Sequence, residues 1–305
     1  MGRWLLEHWF AVVLFAGYTG FLVAHARAGL RQSRGGVADY LVGGRKMSGI
    51  VIGVSFFATF ASTNSYLGHA GKGYDYGAPW LLFAAVIVVF TALSWKLVAP
   101  RLRRFTAALD CVTIPDFLAA RFESRQVRIA AACVIVLSSL LYLVAIFKGA
   151  GNLFQIFLGI PYEVAVGLTL LIVMVYTTVG GFLSVVRTDV VQGVLMVVGS
   201  VVIFGFVLRA SGGPSAVEGL IAATETTHLF TLDAGIPFGV LIGVVLAGSL
   251  KLLVDPRQLS RFYGLENEQG VRAGIWFAVI GIAIIQFSLF PVGILAHSVL
   301  ENVSD

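Results

Sequence analysis

Long apolar segments dominate this sequence, and each is close to the roughly 20 residues that an α-helix needs to cross a bilayer. Only 12% of the residues are charged, about half the fraction found in soluble domains. Most of the segments also lack the polar face that a helix of a soluble protein keeps toward water. The sequence therefore predicts an all-α polytopic membrane protein with about eight transmembrane helices, at about 9–26, 47–69, 78–98, 129–153, 162–180, 188–208, 236–253 and 274–298.

The basic residues predict how the chain is oriented in the membrane. If the N-terminus lies outside, all but four of the 21 Lys and Arg residues fall on the inner side, as the positive-inside rule requires. We therefore expect a multi-pass protein of the cytoplasmic (inner) membrane, embedded in the lipid bilayer. A signal peptide is the alternative for the first segment, because Ala24-His25-Ala26 resembles a cleavage site. Arg27 and Arg31, which follow the apolar run, favour a retained helix.

No motif in the chain indicates catalysis, a metal centre or nucleic-acid binding. The five histidines do not cluster, and the phosphate-binding, zinc-protease and nucleophile motifs do not occur. Cys111 and Cys133 are too far apart to suggest a disulfide framework, and we expect both to be small buried residues. The net charge of +5 follows the predicted topology and forms no single patch. We expect a protein that is not an enzyme, with no cofactor and no nucleic-acid partner.

The second segment carries polar residues where a membrane helix should be apolar. On an unbroken helix, Ser55, Thr59 and Ser62 share one face and Asn64 points away from it. Polar groups on all sides indicate an interrupted helix, whose freed carbonyls can bind a cation. The alternative is an unbroken helix in which the hydroxyls bond back to helix carbonyls.

The stretch from 175 to 194 contains a predicted turn followed by an acid. Gly180 and Gly181 predict a tight turn between two spans, and Thr188 is a plausible N-cap for the next helix. Asp189 would then lie at a helix N-terminus, where the helix dipole favours an acid. It is either an ordinary capping acid or a cation relay at the inner mouth of a pathway.

Lys251 is an unusual cation because it lies about one helical turn inside the end of an apolar segment. Its side chain can extend to the membrane surface, as long basic side chains often do. The alternative is a counter-charge for an anionic substrate within the pathway.

Four sequence elements together resemble the sodium:solute symporter family. They are "DYLVGGR" at 39–45, "ATFASTNSYLGHAGKGYDYG" at 58–77, "TIPDFLAARF" at 113–122 and the stretch from Gly159 to Ser184 that ends in "YTTVGGFLS", and they occur in the family's order. The resemblance implies a leucine-transporter-type inverted-repeat fold in a single transmembrane domain, 1–305. An extra N-terminal helix, 9–26, would precede the first five-helix repeat, 47–208, and the first two helices of the second repeat, 236–298. Core helices 1 and 6 are expected to be broken.

The resemblance also implies a function, namely sodium-coupled symport of a small organic solute. Na⁺ would be the coupling ion, held in part by the backbone carbonyls of Ala58 and Ala61. Asp189 matches an acid that the family links to sodium release or to a second sodium site.

Four residues are the candidates for the solute site. The resemblance matches Asn64 and Ser65 to substrate-facing positions, Ser62 lies beside them, and Lys251 adds a positive charge. The region around Ile282 lacks the lysine expected in sugar carriers, which favours a carboxylate-bearing solute over a sugar.

The sequence departs from the family where it stops, at Asp305, before the core helix that supplies the hydroxyl half of the sodium site. We expect a truncated or incomplete gene product, or a second chain that supplies the remaining helices. The alternatives are a symporter-like sensory module of a signalling system and a non-transporting fragment. The coding sequence downstream of Asp305 would distinguish them.

Overall fold

The computed structural model describes residues 2–32, 36–232 and 235–301, with side chains for 6–31, 36–232 and 235–300. Helices account for nearly all of these residues. The α-helices are α1 (Gly2–Gln32), α2 (Val37–Val42), α3 (Gly49–Phe60), α4 (His69–Tyr76), α5 (Leu81–Leu93), α6 (Ala99–Ala108), α7 (Ile114–Phe122), α8 (Arg125–Leu158), α9 (Tyr162–Ala210), α10 (Ser215–Ala222), α11 (Phe238–Val254), α12 (Pro256–Tyr263) and α13 (Glu268–Glu301).

Six helical spans of the described chain are long and apolar enough to cross a membrane. They are Leu6–Arg31, Ala78–Ala108, Arg125–Leu158, Tyr162–Ala210, Phe238–Tyr263 and Glu268–Leu300. A seventh is possible if α3 and the segment Asn64–Tyr76, which meet at a 60° bend, count as one span. The prediction of an all-α polytopic protein is therefore confirmed. The predicted segments 162–180 and 188–208 lie on either side of Gly181 in α9, where the backbone leaves helical geometry, so this 49-residue element is two helices joined at a kink.

Gly181 kinks α9 at the turn that the sequence predicts. Its backbone angles, φ 60° and ψ −167°, lie in a region that side-chain-bearing residues rarely adopt. A Cβ atom at this position would also lie 2.8 Å from Cδ2 of Tyr40. The Tyr40 hydroxyl donates a hydrogen bond of 2.8 Å to the Thr178 carbonyl, so the tyrosine is held against the kink. Glycine is required here for both conformation and space.

The expectation that Thr188 caps the next helix is wrong. The helix resumes immediately after Gly181, so that Thr188 and Asp189 lie inside it. The Thr188 hydroxyl donates to the Val185 carbonyl over 2.9 Å, as hydroxyls inside helices often do. Asp189 therefore lies inside α9 and not at the N-terminus of the helix that follows Gly181.

The chain divides into two compact units, 1–47 with 105–189 and 48–104 with 190–305. In the first unit, α7 packs on α8, and Arg45 of the "DYLVGGR" element donates to the carbonyls of Thr106 (2.9 Å) and Cys111 (3.0 Å). Cys111 is buried as expected, and burial raises the pKa of its thiol. Cys133 is exposed on α8, so the expectation that it is buried is wrong. The assignment of 1–305 to a single domain stays a prediction.

In the second unit, α13 forms the centre of the packing, against α3, α4 and α5, while α11 packs on α5. Glycines allow this close approach. Gly49 and Gly53 of α3 contact the backbone of Gly270 and Gly274 so closely that no Cβ would fit. Small residues at helix contacts are typical of membrane proteins, where close backbone packing replaces the hydrophobic effect. The same helix, α13, thus supports both halves of the bent α3–α4 pair.

Candidate functional site

The break between α3 and α4 is the centre of the candidate site. Helix α3 ends at Phe60, Ala61 is extended (φ −69°, ψ 134°), and residues Asn64–Gly68 form a wide π-type turn that continues into α4. The two halves meet at 60°. The predicted interruption of this span is therefore confirmed, and the alternative of an unbroken helix is wrong.

Two serines hold the backbone of the break. The Ser62 N–H donates to Oγ of Ser65 (3.3 Å), and the N–H groups of Ser65 (2.8 Å) and Tyr66 (3.2 Å) donate to the Ser62 carbonyl. Ser65 is buried, whereas Asn64 is exposed. In this structure Ser62 and Ser65 form the hydrogen bonds that hold the turn, and the Asn64 side-chain amide lies exposed at the turn.

These contacts leave two buried carbonyls free. In a continuous helix the Ser62 N–H would donate to the Ala58 carbonyl, but here it is bonded to Ser65 instead. Within the described part of the chain, no hydrogen bond reaches the Ala58 or Ala61 carbonyl. Both residues are buried, at 6% and 5% exposure. Buried backbone carbonyls almost always have a partner. A bound cation can therefore supply the partner that these two carbonyls lack.

The second interrupted span ends beside the first. Helix α11 stops at Val254, Asp255 is extended, and α12 continues the apolar span to Tyr263. Helix α11 thus ends one residue beyond the predicted 253, and the span continues through α12 to Tyr263. The resemblance implies a break in core helix 6, and the structure places an interruption at Asp255. The Asp255 carboxylate caps α12 through the Arg257 N–H (3.0 Å).

Lys251 lies where these two spans approach each other. Its Nζ atom is 5.3 Å from the ring centroid of Phe60, the last residue of α3. The lysine is exposed, so it keeps access to a polar partner. The structure thus brings Lys251 together with the break, as a solute role requires, although its position in the last turn of α11 also allows the side chain to reach the membrane surface.

Helix α12 clamps the end of α3, a contact that the sequence reasoning missed. Gln258 is buried, and its amide is assigned to the orientation in which nitrogen donates to the Phe56 carbonyl (3.1 Å) and oxygen accepts from the Phe60 N–H (3.2 Å). Arg261 Nε donates to the Thr59 hydroxyl (3.0 Å). The Asp255-Pro256 pair, an N-cap followed by proline at the first helical position, was the signal for this helix.

Gln286 was also missed. It is fully buried in α13, and neither atom of its amide has a hydrogen-bond partner within the described chain. It lies between Gly281, which contacts Phe57, and Phe290, whose ring stacks on His69 at 4.6 Å. Gln286 is thus level with the break between α3 and α4, where an unpaired amide is costly unless a ligand or water satisfies it. A lone glutamine inside an apolar segment was the available signal.

The predicted site residues fall in two groups. Six lie in the second unit and are associated with the two interruptions, namely Ala58, Ala61, Ser62, Asn64, Ser65 and Lys251. Asp189 belongs to the first unit, where it is buried at 7% exposure. Its role as a cation relay stays a prediction.

Comparison with protein families and known sequences shows which proteins this chain is similar to. A sequence model of the sodium:solute symporter family matches residues 40–304. The sodium/pantothenate symporter of Escherichia coli (strain K12) is 27% identical over 274 residues, covering 87% of this chain and 56% of that protein. The sodium/proline symporter of Staphylococcus aureus (strain JH9) is 28% identical over 286 residues, covering 90% and 54%. The chain thus spans about half the length of these curated relatives.

A solved structure identifies the fold. A Na⁺-coupled sialic acid symporter in a substrate-bound, outward-open state matches with a TM-score of 0.80 over 95% of this chain and 61% of that one, at 23% identity. The fold is therefore of the leucine-transporter type, as expected.

Proposed function

Because the chain belongs to the sodium:solute symporter family, we propose that it acts in Na⁺-coupled symport of a small organic solute. The observation that carries the proposal is the pair of buried, unpaired carbonyls of Ala58 and Ala61 at the break of α3. We further propose that the protein resides in the cytoplasmic membrane with its N-terminus outside, because this orientation places most of its basic residues inside.

The chemistry of the break suits Na⁺. Carbonyl oxygens are the ligands that broken membrane helices offer to Na⁺, and the C-terminal end of α3 adds the negative end of its helix dipole. The Ser62–Ser65 bonds fix the turn in a conformation that keeps both carbonyls free. In this proposal the ion binds at the Ala58 and Ala61 carbonyls, and the buried carboxyl of Asp189 acts as a relay during its release.

The proposed solute carries a carboxylate. Lys251 supplies a positive charge next to the end of α3, while Asn64, with Ser62 and Ser65, supplies polar groups at the break. The names of the matched relatives refer to pantothenate, proline and sialic acid, and each of these solutes bears a carboxylate. These features support a carboxylate-bearing solute over a neutral sugar.

Sodium entry can drive substantial accumulation. One charge moving through 100 mV yields about 2.3 kcal/mol, and a tenfold sodium gradient adds about 1.4 kcal/mol. Together these correspond to a solute ratio on the order of several hundredfold. This estimate assumes one sodium ion per solute and a solute without net charge, such as a zwitterion; a monoanionic solute would be carried without net charge movement, and the sodium gradient alone would give about tenfold.

Uptake into proteoliposomes tests the proposal, and because the chain spans about half the length of its curated relatives, the protein used is the product of the complete coding sequence. Labelled proline, pantothenate and sialic acid are offered under an inward Na⁺ gradient, under an equal K⁺ gradient, and with glucose as the solute without a carboxylate. We expect Na⁺-dependent accumulation of at least one carboxylate-bearing solute and none of glucose. Equal uptake under Na⁺ and K⁺ gradients for all four solutes contradicts the proposal.

A further inference from the structure

A groove lies away from the break, near the N-terminal end of α3, where Gly49 contacts Gly270. It has a volume of about 590 Å³ and separates the α5–α6 span from the beginning of α13. Its walls combine apolar and basic side chains from both spans, among them Trp95, Lys96, Pro100, Val271, Arg272 and Ile275. In the proposed orientation, it opens at the inner membrane surface.

The groove has an excess of positive charge. Lys96 and Arg272 line it and are both exposed, and within the described chain neither has an ion pair or a side-chain hydrogen bond. The acid at the groove, Glu268, is already engaged by Arg104, whose Nε and Nη2 donate to its two oxygens over 3.0 and 3.3 Å. Among the residues that the structure describes, Lys96 and Arg272 are therefore left without an anionic partner.

The local backbone fixes one wall of the groove. Residues Ser94–Val98 form a π-helical turn between α5 and α6, a feature that is rare and frequently found at functional sites. The turn buries Trp95 completely, with its ring 5.1 Å from that of Phe262, and leaves Lys96 exposed. The Ser94 hydroxyl donates to the Leu252 carbonyl (2.8 Å), which ties the turn to α11.

We propose that this groove binds an anionic phospholipid, with the headgroup phosphate between Lys96 and Arg272. Basic pockets between transmembrane helices at the cytoplasmic side bind anionic headgroups, and the unpaired cations here provide the complementary charge. The apolar side chains of Val271 and Ile275 suit the adjoining acyl chains and make a lipid a better occupant than a free phosphate ion. The inference rests on the proposed orientation and is independent of the sodium ion and the solute.

Native mass spectrometry of the purified full chain tests the site. The protein is titrated with phosphatidylglycerol and separately with phosphatidylcholine, and the affinity of the first bound lipid is measured for each. The test variant is the double substitution Lys96→Gln with Arg272→Gln. The matched control is Arg121→Gln with Arg125→Gln, which removes the same charge from two exposed arginines on the same predicted side of the membrane.

We expect wild type and the control to prefer phosphatidylglycerol by about tenfold or more, and the test variant to bind it about thirtyfold more weakly, the factor that two cations at a membrane surface supply. Lys96→Arg with Arg272→Lys should retain the preference. If the double variant does not fold, the single variants Lys96→Gln and Arg272→Gln are measured instead. We expect each of them to bind phosphatidylglycerol about fivefold more weakly than wild type.

Three results overturn the inference. The first is equal affinity of the wild-type protein for the two lipids. The same result is expected if another polypeptide segment fills the groove and keeps lipid out. The second is an equal loss of affinity in the test and control variants, or no loss in either. The third is displacement of phosphatidylglycerol by millimolar inorganic phosphate, which would assign the groove to a soluble anion. None of these readouts depends on transport, so failure of the proposed symport leaves this test intact.

Discussion

The Nζ atom of Lys251 lies 5.3 Å from the centre of the Phe60 ring. This distance is within the range of cation–π contacts. Phe60 precedes the interruption at Ala61, and Lys251 is one helical turn before the interruption at Asp255. The contact therefore joins two interrupted spans and places a positive charge beside the last residue of α3.

Replacing Lys251 tests its role toward a carboxylate. We expect Lys251→Met to raise KM for labelled proline or pantothenate about tenfold to a hundredfold, because a charge-assisted hydrogen bond to the solute is lost. Lys251→Arg should recover part of the loss because it keeps the charge. The control is Lys46→Met, an exposed lysine outside the candidate site. Unchanged KM for every carboxylate-bearing solute that wild type transports would remove Lys251 from the site.

The two polar residues of the break are predicted to behave differently. Ser65→Ala removes the acceptor for the Ser62 N–H, so we expect the half-saturating Na⁺ concentration and the solute KM to rise together by several-fold, as the loss of about 1 kcal/mol implies. Asn64→Ala should raise only the solute KM, because the exposed Asn64 amide does not hold the backbone. Asn152→Ala, an exposed asparagine on α8, is the control. No change in either parameter for Ser65→Ala contradicts the assigned geometry.

The clamp from α12 onto α3 is tested by Gln258→Met, which keeps the length of the side chain and removes both hydrogen bonds. We expect a loss of about 1–3 kcal/mol in the free energy of unfolding, seen as a Tm lower by several degrees, and faster amide hydrogen exchange at Phe60. Gln269→Met makes the same change at an exposed position and should have little effect. Equal Tm values for the two variants would mean that the Gln258 bonds contribute nothing.

Gly181→Ala is expected to destabilise the first unit. The substitution imposes a strained backbone conformation, at about 1–3 kcal/mol, and adds a Cβ atom 2.8 Å from Tyr40. Gly199→Ala is the matched control, because it lies in the same helix with no atom close to the new methyl group. We expect thermal unfolding to show a lower Tm for Gly181→Ala and an unchanged or higher Tm for Gly199→Ala. A lower Tm for Gly199→Ala than for Gly181→Ala would contradict the backbone strain expected at Gly181.

Much of the fold follows from patterns that are local in the sequence. Apolar length predicts the spans, and the polar run from Ser62 to Ser65 predicts the break in α3, since polar groups on every face do not suit an intact membrane helix. Gly181 predicts the kink in α9. Each of these features depends on the properties of neighbouring residues, which the sequence displays directly.

The parts that could not be predicted depend on contacts between distant residues. The amide of Gln258 meets Phe56 and Phe60 across some two hundred positions, and a polar stretch such as 255–263 gives no indication of its partner. Thr188 has the chemistry of an N-cap, but the helix resumes at once after Gly181 and encloses it. The continuation of this span through α12 could not be predicted either, because a charged residue, Asp255, lies inside it.

The central claim is that Na⁺ binds the carbonyls at the break of α3, and amide hydrogen exchange of residues 57–66 in Na⁺ against K⁺ at equal ionic strength tests it most directly. A bound ion should hold the backbone of the turn closed, so the account predicts exchange at least several-fold slower in Na⁺, with a half-saturating concentration that Ser65→Ala raises. The exposed helix α8 should exchange equally in the two salts. Identical exchange of residues 57–66 in Na⁺ and K⁺ would contradict a sodium site at Ala58 and Ala61.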